Sequence, residues 1–343
     1  MKKKVLVTGG AGYIGSHTAV CLIESGFDVV IVDNLSNSEI RSIEGIEKIT
    51  GVKPEFHEFD LCDKEKTAKF FEQNNDIEAI IHFAAYKAVG ESVENPLKYY
   101  HNNLSSLVNI LEGMSKQNIS NLVFSSSCTV YGQPAPEFLP IPETAPIQPA
   151  NSPYGNTKQI SEEIIQDMIV SNDSIKAIAL RYFNPIGAHK SALIGELPIG
   201  VPNNLVPFIT QTAAGLRDEL KVFGNDYNTP DGSAIRDYIH VEDLAEAHVV
   251  AISRLLENKN KTNFEVFNLG TGKGNSVLEV INGFEKATGV KIPYKIVDRR
   301  PGDVEQVWAD TSYANKELGW KAKTSLEESL LSAWNWEKYY RGI

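Results

Sequence analysis

The chain has 343 residues, is 42% hydrophobic and 22% charged, and carries a formal net charge of −11, as expected of a globular protein with one large or two smaller domains. The acidic balance argues against non-specific nucleic-acid binding, and no apolar run approaches the roughly 18 residues that cross a bilayer. The three cysteines (Cys21, Cys62 and Cys128) fit no metal or disulfide framework, so we expect a cytoplasmic protein without a metal site.

The first half of the chain alternates short apolar runs with helical patterns. Buried strands are predicted at Lys4–Thr8, Val29–Asp33, Ala79–Phe83, Leu122–Ser126 and Ala177–Arg181. Helices are predicted at Gly12–Ser25, Lys64–Gln73, Pro96–Lys116 and Tyr154–Val170. Strands that are apolar throughout and separated by helices indicate a parallel sheet covered on both faces. The fold class is therefore α/β, with a doubly wound parallel (Rossmann) sheet.

The composition and periodicity of the sequence change after Phe183. Glycine and proline become frequent between Gly187 and Pro207, and the periodicity is lost. Shorter elements follow near Val206–Ala214, Leu220–Phe223, Val241–Leu256 and Ser276–Thr288. We interpret this half as a smaller α/β domain that binds the substrate. The predicted domains are 1–185 and 186–343, in a chain that can cross between them more than once.

A glycine-rich turn links the first predicted strand to the first predicted helix. Gly9 permits the tight turn, Gly12 lets the backbone approach a pyrophosphate, and Gly15 allows close helix–strand packing. The free N–H groups and the dipole of the helix start favour a phosphate. Taken alone, the motif fits a strand–helix turn without a ligand equally well.

An acidic residue at the end of the second predicted strand strengthens the dinucleotide interpretation. Asp33 can accept both ribose hydroxyls of NAD and repels the 2′-phosphate of NADP. The alternative for Asp33 is a helix-cap or turn residue. Asp60 follows the alternating segment Phe56–Phe59, at a position that can face an adenine. Strand, glycine turn, helix, strand and acid in this order together predict NAD binding.

Tyr154 and Lys158 stand at positions i and i+4, which share one face of a helix, and Pro153 fits the start of that helix. A tyrosine has a pKa of about 10, which must fall by about three for the phenol to act as a base near neutrality. A nearby ammonium or an oxidised nicotinamide favours the phenolate. Such a pair is usually just two surface residues. Ser125, Ser126 and Ser127, however, end a buried strand, where ligands of parallel sheets bind.

A serine at that strand end can hydrogen-bond a substrate hydroxyl or the tyrosine oxygen. Backbone capping is the alternative, and it is the role we expect for Ser125.

Several stretches of the chain match the motifs of one protein family. They are Val7–His17, Asp33–Ser38, His82–Ser92, Ser125–Gly132, Arg181–Pro185, Pro202–Leu205, Phe223–Tyr227 and Arg236–Val241. With these stretches, nearly the whole chain resembles the extended short-chain dehydrogenase/reductases and, within them, the UDP-glucose 4-epimerases.

The resemblance implies a role for each matching residue. Tyr154 would be the acid/base, Lys158 would hold the ribose and lower the tyrosine pKa, and Ser127 would bond the reacting O4. The implied NAD contacts are Gly9, Gly12, Tyr13, Ile14, Gly15, Asp33, Asn34, Leu35, Ser36, Asn37, Ser38, Asp60, Leu61, Phe83, Ala84, Ala85, Tyr86, Lys87, Asn102, Ser127, Tyr154, Lys158 and Phe183. The implied UDP-sugar contacts are Lys87, Ser127, Tyr154, Asn184, Asn204, Leu205, Phe223, Arg236, Arg300, Asp303 and Val307.

The implied reaction inverts C4 of a UDP-hexose through a 4-keto intermediate, with tightly bound NAD and no metal. The resemblance also implies a homodimer formed by the helices Pro96–Lys116 and Tyr154–Val170. Two positions depart from the family pattern: Cys128 replaces a small residue and is expected to pack, and Val307 stands where relatives restricted to glucose and galactose have tyrosine. Val307 therefore predicts that UDP-GlcNAc and UDP-GalNAc are also accepted.

Three alternatives remain. A sugar-nucleotide 4,6-dehydratase shares the fold, NAD and the Tyr/Lys pair, but should carry an acidic pair where this chain has Cys128 and Thr129. A net dehydrogenase or reductase would consume its cofactor. A non-catalytic NAD-sensing regulator would have no reason to keep Ser127, Tyr154 and Lys158 together.

Overall fold

The computed structural model describes residues 2–300 and 304–343, and the chain forms two units. The first unit contains the chain up to Gln133, Pro146–Tyr182 and Ala245–Phe267. The second contains Pro134–Ala145, Phe183–Leu244 and Asn268–Ile343. A single boundary at 185/186 assigns 134–145, 183–185 and 245–267 differently, because segments that are distant in the sequence can pack into the same unit.

A seven-stranded sheet in the order β3-β2-β1-β4-β5-β6-β10 forms the centre of the first unit. Its strands are β1 (Lys4–Thr8), β2 (Asp28–Asp33), β3 (Glu55–Glu58), β4 (Ile77–His82), β5 (Asn121–Ser125), β6 (Lys176–Tyr182) and β10 (Phe264–Leu269). Pairing is parallel from β3 through β6. The predicted doubly wound α/β fold is confirmed.

The helices of this unit are α1 (Tyr13–Glu24), α2 (Arg41–Thr50), α3 (Lys64–Gln73), α4 (Val89–Glu94), α5 (Pro96–Gln117) and α6 (Pro153–Ser171). A short 3₁₀ turn, Cys128–Tyr131, follows β5. The core brings Leu6, Val30 and Ile80 of the sheet together with Leu107 of α5 and Ile165 of α6. The α6 helix starts at Pro153 because Ser152 accepts a hydrogen bond from the N–H of Gly155 and the proline needs no donor partner.

The second unit contains short strands and longer helices. Its strands are β7 (Asn184–Ile186), β8 (Leu220–Phe223), β9 (Ile235–His240), β11 (Gly274–Ser276), β12 (Tyr294–Val297) and β13 (Gln306–Val307). Its helices are α7 (Leu205–Ala213), α9 (Val277–Thr288) and α10 (Leu326–Arg341), and α8 (Val241–Leu256) starts in this unit. Strand β9 pairs with β7, β11 and β13, and β8 pairs with β12. None of the helices in the described part of the chain is long and apolar enough to cross a membrane.

Candidate active site

The glycine turn after β1 is shaped by contacts that no side chain could share. Gly9 has φ +70°, and a Cβ there would lie 2.8 Å from the backbone nitrogen of Ala84. A Cβ on Gly15 would lie 2.3 Å from the carbonyl oxygen of Gly9. The close approach that Gly15 permits is thus to the backbone of the turn that follows β1. Helix α1 begins at Tyr13, and Gly12 offers no side-chain cap to its first N–H groups.

Asp33 ends β2 and is buried, with 9% of the residue exposed. One carboxylate oxygen accepts the N–H of Ala11 at 3.0 Å. The other accepts the N–H of Leu35 at 2.9 Å and the hydroxyl of Ser38 at 2.8 Å. The carboxylate therefore connects the glycine turn to the loop 34–38. Asp33 thus has the turn role that the sequence offered as the alternative to ribose binding. A hydrogen bond from Asp33 to a ribose stays a prediction.

The remaining candidate NAD contacts of the first unit lie around the ends of neighbouring strands, where parallel sheets bind ligands. Phe83 follows β4, and its ring centroid lies 4.7 Å from that of His248. The ammonium of Lys87 lies 5.8 Å from the ring centroid of Tyr13. Asp60 accepts the N–H of Cys62 at 2.8 Å, again as a turn residue.

The three serines after β5 have different partners. The carbonyl of Ser125 accepts a hydrogen bond from the Lys158 ammonium at 2.6 Å, and its hydroxyl lies 2.9 Å from that of Tyr182. Ser126 donates to Glu162 at 2.6 Å. Ser127 accepts the N–H and the hydroxyl of Thr129 at 3.2 and 3.0 Å. Capping was expected of Ser125, but its hydroxyl bonds another side chain, and Ser127 provides the cap.

Tyr154 and Lys158 are both buried on α6, with 7% and 4% of the residue exposed. Burial, followed by the neighbouring Tyr182, raises the pKa of Tyr154 well above its ordinary value, whereas a hydrogen bond with Ser127 lowers it. Burial lowers the pKa of Lys158 to about 8, and Glu162 acts in the opposite direction. In the chain alone, burial is therefore the largest influence on the Tyr154 pKa, and a lowering of this pKa by Lys158 and an oxidised nicotinamide stays a prediction.

A second set of buried polar residues supports these groups and was missed from the sequence. Asn103 of α5 donates to the hydroxyl of Thr157 at 3.1 Å and exchanges hydrogen bonds with the backbone of Tyr86 at 2.8 and 3.0 Å. His82 lies 2.7 Å from the hydroxyl of Thr8, and burial lowers its pKa to about 3. The sequence indicated this role for Asn103 alone, because Asn103 is a polar residue on the apolar face of a predicted helix.

In the second unit, several candidate substrate residues lie on strands around β9. Asn184 is on β7 and pairs with Tyr238 of β9. Val307 of β13 pairs with Arg236 of β9, and register partners in a sheet present their side chains on the same face. The predicted gate position is therefore the direct neighbour of a predicted diphosphate-binding arginine.

The other candidate substrate residues lie at the ends of elements. Asn204 precedes α7, which begins at Leu205, and donates to Glu196 at 2.8 Å. Phe223 ends β8, with the Arg300 guanidinium 5.6 Å from its ring centroid. Phe183, a candidate NAD contact rather than a substrate contact, also lies in the second unit, where it is buried and its N–H donates to the carbonyl of Leu269 at 3.1 Å. Asp303 lies outside the described residues.

Within residues 2–300 and 304–343, no group of three or more His, Cys, Asp or Glu side chains could hold a metal ion. Cys128 and Thr129 occupy the positions where a 4,6-dehydratase should have acids. The Thr129 hydroxyl donates to Ser127 at 3.0 Å. Where a 4,6-dehydratase should have an acidic pair, this site therefore has a thiol and a hydroxyl, next to the buried Tyr154 and Lys158.

The chain is similar to known proteins over nearly its full length. A family model described as GDP-mannose 4,6 dehydratase matches residues 6–332. A UDP-glucose 4-epimerase from Bacillus subtilis (strain 168) is 51% identical over 333 residues, covering 97% of this chain and 96% of the relative. A crystal structure of UDP-glucose 4-epimerase from Stenotrophomonas maltophila, with bound NAD and formylated UDP-arabinopyranose, is 47% identical, with TM-score 0.94 and 99% coverage of both chains.

A second crystal structure, UDP-glucose 4-epimerase from Bifidobacterium longum in complex with NAD+ and UDP, is also 47% identical, with TM-score 0.93 and 99% coverage of both chains. Both structures and the curated relative are similar to this chain over nearly its full length, so the similarity extends to both units. The chain belongs to the UDP-glucose 4-epimerase family.

Proposed function

We propose that this protein interconverts UDP-glucose and UDP-galactose by inverting C4, with NAD that stays bound through the cycle. The observation that carries the proposal is the buried pair Tyr154 and Lys158 beside Ser127 at the end of β5. A phenol that can hold a proton at a sugar hydroxyl, next to a fixed cation, is what the oxidation of an alcohol requires.

The residues of the first unit fit NAD. Helix α1 starts without a side-chain cap, so its N–H groups are suited to a pyrophosphate, which Gly12, Tyr13 and Ile14 would contact. The buried carboxylate of Asp33 disfavours the extra phosphate of NADP and would accept ribose hydroxyls. When bound, NAD supplies a hydride acceptor and donor for C4 of the sugar.

Tyr154 takes the proton from O4 of the sugar and returns it to the inverted hydroxyl, and Ser127 bonds the same oxygen. In the chain alone burial raises the pKa of Tyr154, so the residue needs a cation when it works as a base. Lys158 is one such cation, and the positive charge of an oxidised nicotinamide is the other. The two charges together have to overcome the desolvation of the phenolate.

Polar residues of the second unit would hold the UDP-sugar. Arg236 and Arg300 are planar, permanently charged forks that suit a diphosphate. Asn184 and Asn204 offer amide donors and acceptors for the nucleotide and the sugar.

The pairing of Val307 with Arg236 supports a broader choice of sugar. Because the two residues share one face of the sheet, Val307 would stand beside the bound diphosphate sugar. Valine is several heavy atoms smaller than tyrosine, so the acetamide at C2 of UDP-GlcNAc or UDP-GalNAc would meet no clash there. We therefore propose that both pairs of sugars are substrates.

A homodimer is also part of the proposal. Leu97 and Val108 on α5 are 80% and 39% exposed and lie on one side of the helix, about three turns apart. Val170 of α6 is 87% exposed. Exposed aliphatic side chains on α5 and α6 suit pairing across a two-fold axis. Light scattering at micromolar concentration should give twice the chain mass, and the mass of a single chain would refute the dimer.

The function is tested by incubating the purified protein with each UDP-sugar without added NAD and separating the products by chromatography. Conversion of UDP-glucose to UDP-galactose and back is expected, and denatured protein should release NAD. Tyr154→Phe should be inactive while it still folds and binds UDP. A 4-keto-6-deoxy product would favour a dehydratase, a requirement for added cofactor would favour a net dehydrogenase, and bound NAD without turnover would favour a regulator.

A further inference from the structure

Glu162 is a buried carboxylate that the proposed reaction does not use. It lies one helical turn beyond Lys158 on α6, and 4% of the residue is exposed. Its Oε1 accepts hydrogen bonds from the Ser126 hydroxyl at 2.6 Å and from Nε of Arg181 at 3.0 Å. Its Oε2 accepts a second bond from Arg181 at 2.5 Å. Three donors therefore fix this carboxylate in one orientation.

The same network reaches the chain on the other side of Ser127. Arg181 of β6 donates to the hydroxyl of Tyr131 at 3.0 Å, and its guanidinium carbon lies 4.9 Å from that ring centroid. Tyr131 is fully buried and ends the 3₁₀ turn that follows Ser127. Glu162 thus holds the chain on both sides of Ser127. It bonds Ser126, the residue before it, and through Arg181 it reaches Tyr131, at the end of the turn that follows.

Glu162 also sets the charge around Lys158. It raises the pKa of Lys158, against the larger effect of burial. The described titratable groups around the lysine come from three elements. His82 of β4 and Glu162 of α6 act on it, Tyr182 of β6 contacts its partner Ser125, Arg181 of β6 pairs with Glu162, and Tyr154 lies one helical turn before it. Among these groups, Glu162 is the one that has a carboxyl group. A buried ion pair adds little stability by itself. The position of Glu162 beside the end of β5 therefore indicates a role other than stabilising the fold.

We propose that Glu162 is a positioning residue of this site, which fixes the strand end carrying Ser127 through Ser126 and Arg181 and places a carboxylate one helical turn from Lys158. The proposal rests on the proposed function, because Ser127 and Lys158 act with the acid/base Tyr154 in that reaction.

The charge effect is tested with Glu162→Gln, and Glu163→Gln on the exposed side of the same helix is the matched control. The alkaline limb of kcat/KM against pH should move down by about one pH unit in Glu162→Gln and stay in place in the control. NMR titration of carbon-13-labelled lysine, assigned with Lys158→Met, should show the same shift without substrate. A folded Glu162→Gln variant with a wild-type profile and a wild-type lysine titration would overturn the proposal.

Removing the carboxylate leaves the Arg181 cation buried, so Glu162→Gln could fail to fold. In that case Arg181→Gln decides, because removing the neighbouring cation should move the lysine titration up instead. No movement, or movement down, would overturn the charge effect.

The positioning effect is tested with Ser126→Ala, which keeps the ion pair. It should lower kcat about tenfold and leave the KM for UDP-glucose and the lysine titration unchanged, whereas a wild-type kcat would overturn it. If the wild-type protein does not interconvert the UDP-sugars, the proposed function fails, but the lysine titration still tests the charge effect.

Discussion

Replacing Gly15 with alanine introduces a methyl group where the glycine turn leaves no space. The new Cβ would lie 2.3 Å from the carbonyl oxygen of Gly9 and 2.8 Å from Cα of Gly10. Ordinary contacts between such atoms are about 3.5 Å, so the turn or the start of α1 must move by about 1 Å. Overpacking of this size costs about 1–3 kcal/mol in the free energy of unfolding. The N–H groups that would hold the pyrophosphate move with it.

We therefore expect Gly15→Ala to lose most of its bound NAD and to unfold at a lower temperature, partly because the stabilisation by bound NAD is also lost. The assays are the NAD released on denaturation, per chain, and the unfolding midpoint with and without added NAD. Gly90→Ala is the matched control, since Gly90 lies on α4 and its Cβ would meet nothing within 4 Å. Alanine should be neutral or slightly stabilising there. A Gly15→Ala protein with full NAD content and a wild-type midpoint would refute the steric argument.

Three further predictions concern charge and substrate. Because burial lowers the pKa of Lys158 to about 8, the rate should fall as the pH rises above 8 and the ammonium is lost. Lys158→Met should lower kcat at least 100-fold at pH 7. A rate that does not depend on pH up to pH 10 would contradict this role of the ammonium. His82 has a pKa of about 3 in the folded chain, so the unfolded state takes up its proton first, and acid should destabilise the fold as the pH falls from about 6.5 towards 3. His82→Gln should flatten that part of the stability curve in pH-dependent urea unfolding, and an unchanged slope would count against it. Val307→Tyr should remove activity on UDP-GlcNAc and keep activity on UDP-glucose, and a wild type inert on UDP-GlcNAc would show that Val307 is not the gate.

Much of the first unit could be predicted from the sequence because its strands are apolar throughout. The run Val29–Asp33 became β2, which starts one residue earlier, at Asp28. The second unit was harder, because strands such as β13, with Gln306 and Val307 alone, are too short to show a period. Such strands exist only because β9 supplies their partners.

The residues of the candidate site also differ in how far the sequence could predict their positions. The spacing of Tyr154 and Lys158 is local, so a helical pattern predicted that both lie on one face. Glu162 depends on Ser126, which is 36 residues away in the chain, and no local pattern indicates such a partner. The sequence indicates the cation near Tyr154 but not the extent of burial, which raises the pKa of this residue in the chain alone.

In the proposed reaction, C4 is oxidised and then reduced within one site, by NAD that does not exchange. The most direct test supplies UDP-glucose with deuterium at C4, in ordinary water and without added NAD. We expect UDP-galactose that keeps its deuterium at C4, because the hydrogen removed from carbon returns to the same carbon. UDP-galactose that has lost the deuterium to solvent would contradict this mechanism.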